Sequence, residues 1–238
     1  MCGNCDSKAL SRRSLMAGAG TLLAVGALAL RPGHAAEETP ALNAIPPSEA
    51  LDRLKQGNAR YRAGEFNERD YFAGRAERVS AQYPIVAVLA CADSRVPPEI
   101  VFDKGPGEVF VVRDAGNVVS TYGLASIEYA VVVLNVPLVL VLGHSNCGAV
   151  SAALRSARER SKLPGHLPEL VEAIQPAVDA AHGKHPGDLL AATIEENVRL
   201  GMSNLKSRSE LIDDAVTSGK VGIAGGVYDI ASGEVKLL

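Results

Sequence analysis

Cys91-Ala92-Asp93-Ser94-Arg95 places a thiol, a carboxylate and a guanidinium on alternate positions directly after the apolar run PIVAVLA. Alternate side chains of an extended segment face the same way, so the three are expected to converge at the end of a buried strand. A second group of this kind is Gly143-His144-Ser145-Asn146-Cys147-Gly148, which closes the apolar stretch PLVLVLGH. Two residues between His144 and Cys147 let an imidazole nitrogen and a thiolate reach one ion across a tight turn. Ligands in open α/β sheets gather outside the carboxyl ends of the strands, so the ends of 84–91 and 137–143 meet there if the strands are neighbours. Cys91, His144 and Cys147 would then make a Cys2His set with Asp93 close by. Three protein ligands and one exchangeable position suit a catalytic zinc, whereas a structural site is closed by four. The sulfur-rich set favours zinc over magnesium or calcium.

The elements that must position these groups read as α/β. PIVAVLAC, GEVFVVRD and PLVLVLGH are almost continuous apolar runs rich in Val and Leu, the pattern of parallel strands covered on both faces. YGLASIEYAVVVLN between the last two is long enough for a crossover helix, and CGAVSAALRSARERS begins another. SELIDDAVTSGK adds a helix before the strand VGIAGGVYDI, which Ser232-Gly233 can turn back into EVKLL. PSEALDRLKQGNARYRAG carries Leu51, Leu54 and Tyr61 at helical spacing. The expected architecture is therefore a mostly parallel central sheet flanked by helices, with an N-terminal helical arm. Residues 161–206, punctuated by Pro164, Pro168, Pro176 and Pro186, read as a helical excursion at the sheet's periphery. His166, His182 and His185 within it read as exposed loop histidines. Gly222, Gly225 and Gly226 lack the order of a phosphate loop and read as relief of crowding in a strand.

Ser11-Arg12-Arg13-Ser14-Leu15-Met16 followed by AGAGTLLAVGALAL resembles a twin-arginine export signal, with cleavage expected after Ala35. The expected organisation is thus a signal peptide over 1–35 and one domain over 36–238, exported to the periplasm or beyond, with no stable membrane anchor. The chain of 238 residues carries a formal charge of -3; an acidic balance with no basic patch argues against nucleic acid as a partner. An apolar content of 47% without Trp indicates an aliphatic core. Cys2 and Cys5 would leave with the signal, so the mature chain keeps Cys91 and Cys147. Two cysteines in an exported protein also suit a disulfide, which leaves a metal-free, disulfide-stapled binding protein as an alternative.

The pattern Cys-x-Asp-x-Arg followed by Gly-His-x-x-Cys-Gly resembles the β-class carbonic anhydrases, and the similarity continues through Pro106-Gly107-Glu108, Val112-Arg113, Asn117 and Glu128-Tyr129-Ala130. The resemblance spans about residues 47–230. It implies one zinc ion per chain on Cys91, His144 and Cys147, an Asp93–Arg95 dyad, and a substrate pocket lined by Gln82, Phe110 and Tyr129. By composition alone the two aromatics would pass as core residues. Where the family commonly has Val two positions after the Arg113 match, this chain has Ala115.

The implied activity is reversible hydration of carbon dioxide to bicarbonate and a proton by a zinc-activated hydroxide. Asp93 would accept that group's hydrogen bond while Arg95 keeps the carboxylate off the metal, Asp93 becoming a fourth ligand only in a closed state. Hydrolysis of carbonyl sulfide or carbon disulfide is the alternative chemistry for the same site. The resemblance further implies a homodimer or dimer of dimers, with the helix at 47–64 packed on the partner and the pocket near the interface. Some members use a Trp in a second bicarbonate site, and this chain contains none.

Overall fold

The computed structural model describes residues 43–159, 163–182 and 187–238. The expected signal segment, including Cys2, Cys5, Arg12 and Arg13, lies outside the described residues, as do His185 and Pro186. The described residues form eight α-helices and five strands. The helices are α1 (Pro47–Ala63), α2 (Glu77–Ser80), α3 (Pro98–Val101), α4 (Thr121–Val132), α5 (Gly148–Glu159), α6 (Leu167–His182), α7 (Leu189–Ser207) and α8 (Glu210–Thr217). The strands are β1 (Val86–Cys91), β2 (Val109–Asp114), β3 (Leu138–His144), β4 (Gly222–Tyr228) and β5 (Val235–Leu237), in the sheet order β2-β1-β3-β4-β5. The first four are parallel and β5 returns antiparallel to β4.

Every residue of β1 and β3 is buried, which is why their sequences are unbroken apolar runs. Successive residues of β1 feed opposite cores: Val86, Val88 and Ala90 pack with Leu54 of α1 and Phe102, while Ala87 and Leu89 pack with Ile127 of α4 and Val198 of α7. The register pairs Ala90 with Leu142, so Cys91 and His144 lie just beyond the last paired residues of adjacent strands. The carboxyl end of the sheet thus delivers both groups to one place.

The structure adds to the sequence expectation at two elements. α1 lies on its own chain: Ala50 and Leu54 are buried in that core, and Asn58 donates to Val101 O (3.1 Å) and Gly233 O (2.8 Å) while accepting from Val235 N (2.9 Å). The 161–206 region is also more than a peripheral excursion, because α7 lies against β3 and β4 with Ile194, Val198 and Leu205 buried. Its close approach depends on missing side chains. A Cβ at Gly225 would stand 2.5 Å from Met202 Sδ, and one at Gly143 would stand 2.7 Å from Val198 Cγ2. Pro176 does not end α6 but is carried inside it.

Candidate metal centre

Cys91, His144 and Cys147 come together, all buried, with their ligand atoms within 4.8 Å of one another. Cys91 ends β1, His144 ends β3, and Cys147 immediately precedes α5, the turn between them being closed by Asn146 at φ 56°. His144 Nδ1 is 2.9 Å from Ser145 O. A carbonyl only accepts, so that nitrogen carries the hydrogen and Nε2 keeps its lone pair. Nε2 is buried and has no hydrogen-bond partner. A buried ring nitrogen aimed into a cluster of sulfurs with nothing to bond is what a metal ion would satisfy.

The thiols are prepared for a cation as well. The Cys147 side chain, against the penalty of burial, pushes the Cys91 thiol down to about 4, with His144 and the backbone of Asp93 and Gly116 contributing. Cys147 is pushed up, first by the Cys91 thiolate and then by burial, although the N–H groups of Ala149 and Val150 at the start of α5 favour its anion. Gly116 N–H donates to Cys91 Sγ at 3.2 Å. Burial disfavours protonated His144, but the negative charges of the Cys91 thiolate and Asp93 and the carbonyl of Ser145 outweigh it and raise its pKa. A divalent ion would favour both thiolates, and the two-sulfur, one-nitrogen donor set fits zinc.

Asp93 and Arg95 are also brought together, by a different device from the one expected. The strand ends at Cys91, and the next residues form a turn in which Val96 N donates to Asp93 O (3.1 Å) and Arg95 N to Asp93 Oδ1 (3.0 Å). The Arg95 side chain completes a bidentate pair, Nε to Oδ1 at 2.9 Å and Nη2 to Oδ2 at 2.7 Å. These bonds hold the Asp93 carboxyl well below the usual carboxylate range, burial opposing. Asp93 Oδ2 remains 3.8 Å from His144 Nε2. The carboxylate is therefore beside the cluster and tied away from it.

Sequence reasoning missed the part Arg113 plays in this arrangement. Its Nε donates to Cys91 O at 3.0 Å and its Nη2 to Asp93 O, so one side chain from β2 fixes both ends of the thiol–carboxylate segment. The register places Arg113 beside Ala90, a long-range relation that its own neighbours in sequence do not reveal. Phe110 and Tyr129 stack at 6.2 Å between ring centroids. Gln82 and Tyr129 line a surface groove of about 600 Å³ with Arg78 and Val133, and its lining includes none of Cys91, His144 and Cys147. His166 is exposed beside Glu169.

Comparison with known proteins accounts for this constellation. Residues 86–235 match the sequence family described as carbonic anhydrase. A carbonic anhydrase of Mycolicibacterium smegmatis is 40% identical over 193 residues, covering 80% of this chain and 93% of that relative. Carbonic anhydrase 2 of Mycobacterium tuberculosis is 39% identical over 196 residues, covering 80% of this chain and 92% of that one. Among solved structures, the Coccomyxa β-carbonic anhydrase in complex with acetazolamide superposes with a TM-score of 0.60 at 28% identity, covering 80% of this chain and 82% of that one. With the fold, the Cys–His–Cys cluster and these relatives in agreement, the chain belongs to the β-class carbonic anhydrases, which are lyases.

Proposed function

We propose that this chain hydrates carbon dioxide reversibly to bicarbonate and a proton, using one zinc ion held by Cys91, His144 and Cys147. The observation that carries the reading is the buried, unpartnered His144 Nε2 facing two thiols. Zinc bound there supplies the Lewis acidity that makes a nucleophile of water near neutral pH, a chemistry for which His-ligated carbonic anhydrases are the reference case.

The residues around it have separate tasks. Asp93, kept ionised by Arg95, offers Oδ2 as an acceptor 3.8 Å from His144 Nε2. There it takes the hydrogen bond of the attacking water and orients its lone pair. Arg95 holds the carboxylate from turning inward. Gln82 donates to a bicarbonate oxygen, and Phe110 and Tyr129 give apolar carbon dioxide a dry wall.

Because the groove lined by Gln82 and Tyr129 is separate from the cluster in one chain, the pocket is completed at an interface with a second copy. The outer face of α4 and the residue that caps it support this: Tyr122 is 86% exposed and Val133 55%, an apolar surface that a lone chain leaves uncovered only at a cost. The assembly is a homodimer or a dimer of dimers.

We further assign the enzyme to the exported fraction on the strength of Arg12-Arg13 and the apolar run after them. Among the described residues no helix is long and apolar enough to cross a membrane. The deciding experiment is a stopped-flow carbon dioxide hydration assay on the chain from Ala36 onward, before and after chelation and after zinc is restored. Activity that vanishes and returns with zinc is expected. A fully zinc-loaded, folded chain without activity would overturn the reading.

A further inference from the structure

In the turn after β2, Ala115–Asn117, Gly116 N donates to the ligand sulfur Cys91 Sγ at 3.2 Å. The turn is conformationally demanding. Gly116 has φ 69° and Asn117 φ 45°, and a left-handed residue other than glycine costs on the order of 1 kcal/mol. A side chain at Gly116 is also excluded on packing grounds, because a Cβ would stand 2.8 Å from Ile174 Cδ1. Such a turn keeps one conformation only if its surroundings over-determine it.

The surroundings come from α7. Asn197 Nδ2 donates to Gly116 O at 2.7 Å across 81 residues of sequence, and Asn197 is itself buried. Its helix neighbours Ile194 and Val198 are fixed against Gly143, the residue before His144, where a Cβ would meet them at 3.4 and 2.7 Å. The amide is therefore presented from a rigid platform that touches both arms of the cluster.

We propose that Asn197 is a positioning residue for the metal centre, fixing through Gly116 O the backbone conformation that aims the Gly116 N–H at the Cys91 sulfur. The two hydrogen bonds belong to successive peptide units. Asn197 therefore acts by holding the φ and ψ of Gly116, not by polarising the donor. Without it Gly116 relaxes toward other conformations open to glycine, the N–H swings off the sulfur, and Cys91 holds metal in a looser and altered setting. Loss of one such outer partner of a ligand typically costs 10–100-fold in metal affinity. The inference rests on the reading of Cys91 as a metal ligand.

The test uses the full chain loaded with Co(II), whose thiolate-to-cobalt charge-transfer band reports the sulfur environment, and chelator competition for Zn(II). Asn197→Leu and Asn197→Ala remove the amide. Thr193→Val is the control, since Thr193 is buried on the same helix but donates to the helix carbonyl of Leu189 at 2.7 Å. Folded Asn197 variants are expected to bind zinc at least about tenfold more weakly, with the band displaced, while Thr193→Val matches the parent in both. A merely structural role would lower the melting temperature without moving the band or the affinity, and that result overturns the proposal. So does failure of both Asn197 variants to fold while Thr193→Val folds. A parent chain with no thiolate-to-cobalt band instead refutes the metal reading itself, which separates the two failures.

Discussion

Arg95→Ala isolates the tie between the carboxylate and the cluster. Asp93 is held by three hydrogen bonds from one residue: two from the guanidinium, at 2.9 and 2.7 Å, and one from the backbone N–H at 3.0 Å. The substitution deletes the first two and leaves the third, so the turn itself should survive. Oδ2 is the oxygen released outright, because the remaining bond engages Oδ1. It is also the oxygen 3.8 Å from His144 Nε2, and a modest rotation brings it among the ligand atoms. An unpaired carboxylate next to a cation ligates it unless other bonds hold it elsewhere. The variant should lose both the oriented acceptor and the exchangeable position. A positioned acid–base group alone contributes about 10²–10⁴, so hydration should fall at least about a hundredfold. Zinc content, set by Cys91, His144 and Cys147, should barely change. Stopped-flow hydration with metal analysis of the same sample decides the matter. Retained zinc with a near-parental rate would refute the tie, and lost zinc would show Arg95 to be structural support instead.

Three further outcomes are expected. Asp103, 2% exposed in its side chain, accepts from Arg60 Nε at 2.5 Å and pairs with Arg69 Nη2 at 3.3 Å; Asp103→Asn, which keeps a residue tolerant of its φ of 45°, should cost about 2 kcal/mol in urea unfolding at pH 7. Although burial opposes it, the bonds from Arg60, Asn67 and Arg69 lower the Asp103 pKa. Its stabilisation is therefore complete above the unfolded carboxyl value of about 4 and is lost as pH falls through the lower folded value, so the stability gap between parent and variant should close on acidification; a gap constant to pH 2 would count against it. By sedimentation the parent should show no monomer at micromolar concentration, and Val133→Asp at the exposed C-cap of α4 should release one; a parental monomer with full activity would refute the interface. Rate against bicarbonate concentration should follow a simple hyperbola, since the chain lacks Trp, and a sigmoidal curve would point to a second site.

The strands were legible because burial on both faces leaves no freedom at alternate positions. Val86–Cys91 and Leu138–His144 lie inside the runs that composition alone marks out. The cluster was legible for a related reason: residues at the carboxyl ends of neighbouring parallel strands meet whatever the intervening chain does. What was not legible depends on contacts between residues far apart in sequence. Alternation was a correct guide up to Cys91, but beyond it Asp93 and Arg95 meet through a turn whose hydrogen bonds, not the pleat, set their directions. Arg113 and Asn197 reach the site across 22 and 81 residues and carry no periodic signal of it. The place of α7 did leave a trace. Gly143 interrupts a strand otherwise built of Val and Leu and Gly225 lies in the glycine-rich β4, and such glycines mark where another element comes close.

The same contacts decide between the two uses of paired cysteines that composition leaves open. Cys91 and Cys147 are close enough for a small shift to join them, so proximity of the sulfurs alone does not separate a disulfide from a metal site. His144 does. In a disulfide-stapled protein the imidazole would be an apolar-core residue with one nitrogen bonded to Ser145 O and the other buried and unsatisfied, a defect costing about 1–3 kcal/mol. The Gly116, Ala149 and Val150 N–H groups would meanwhile face sulfurs without negative charge, as weak acceptors. Both anomalies disappear when a cation sits among two thiolates and Nε2. The polar groups around the cysteines are thus arranged for anionic sulfur and a lone pair seeking a metal, and a bond between the two sulfurs would leave nearly all of that arrangement without a purpose.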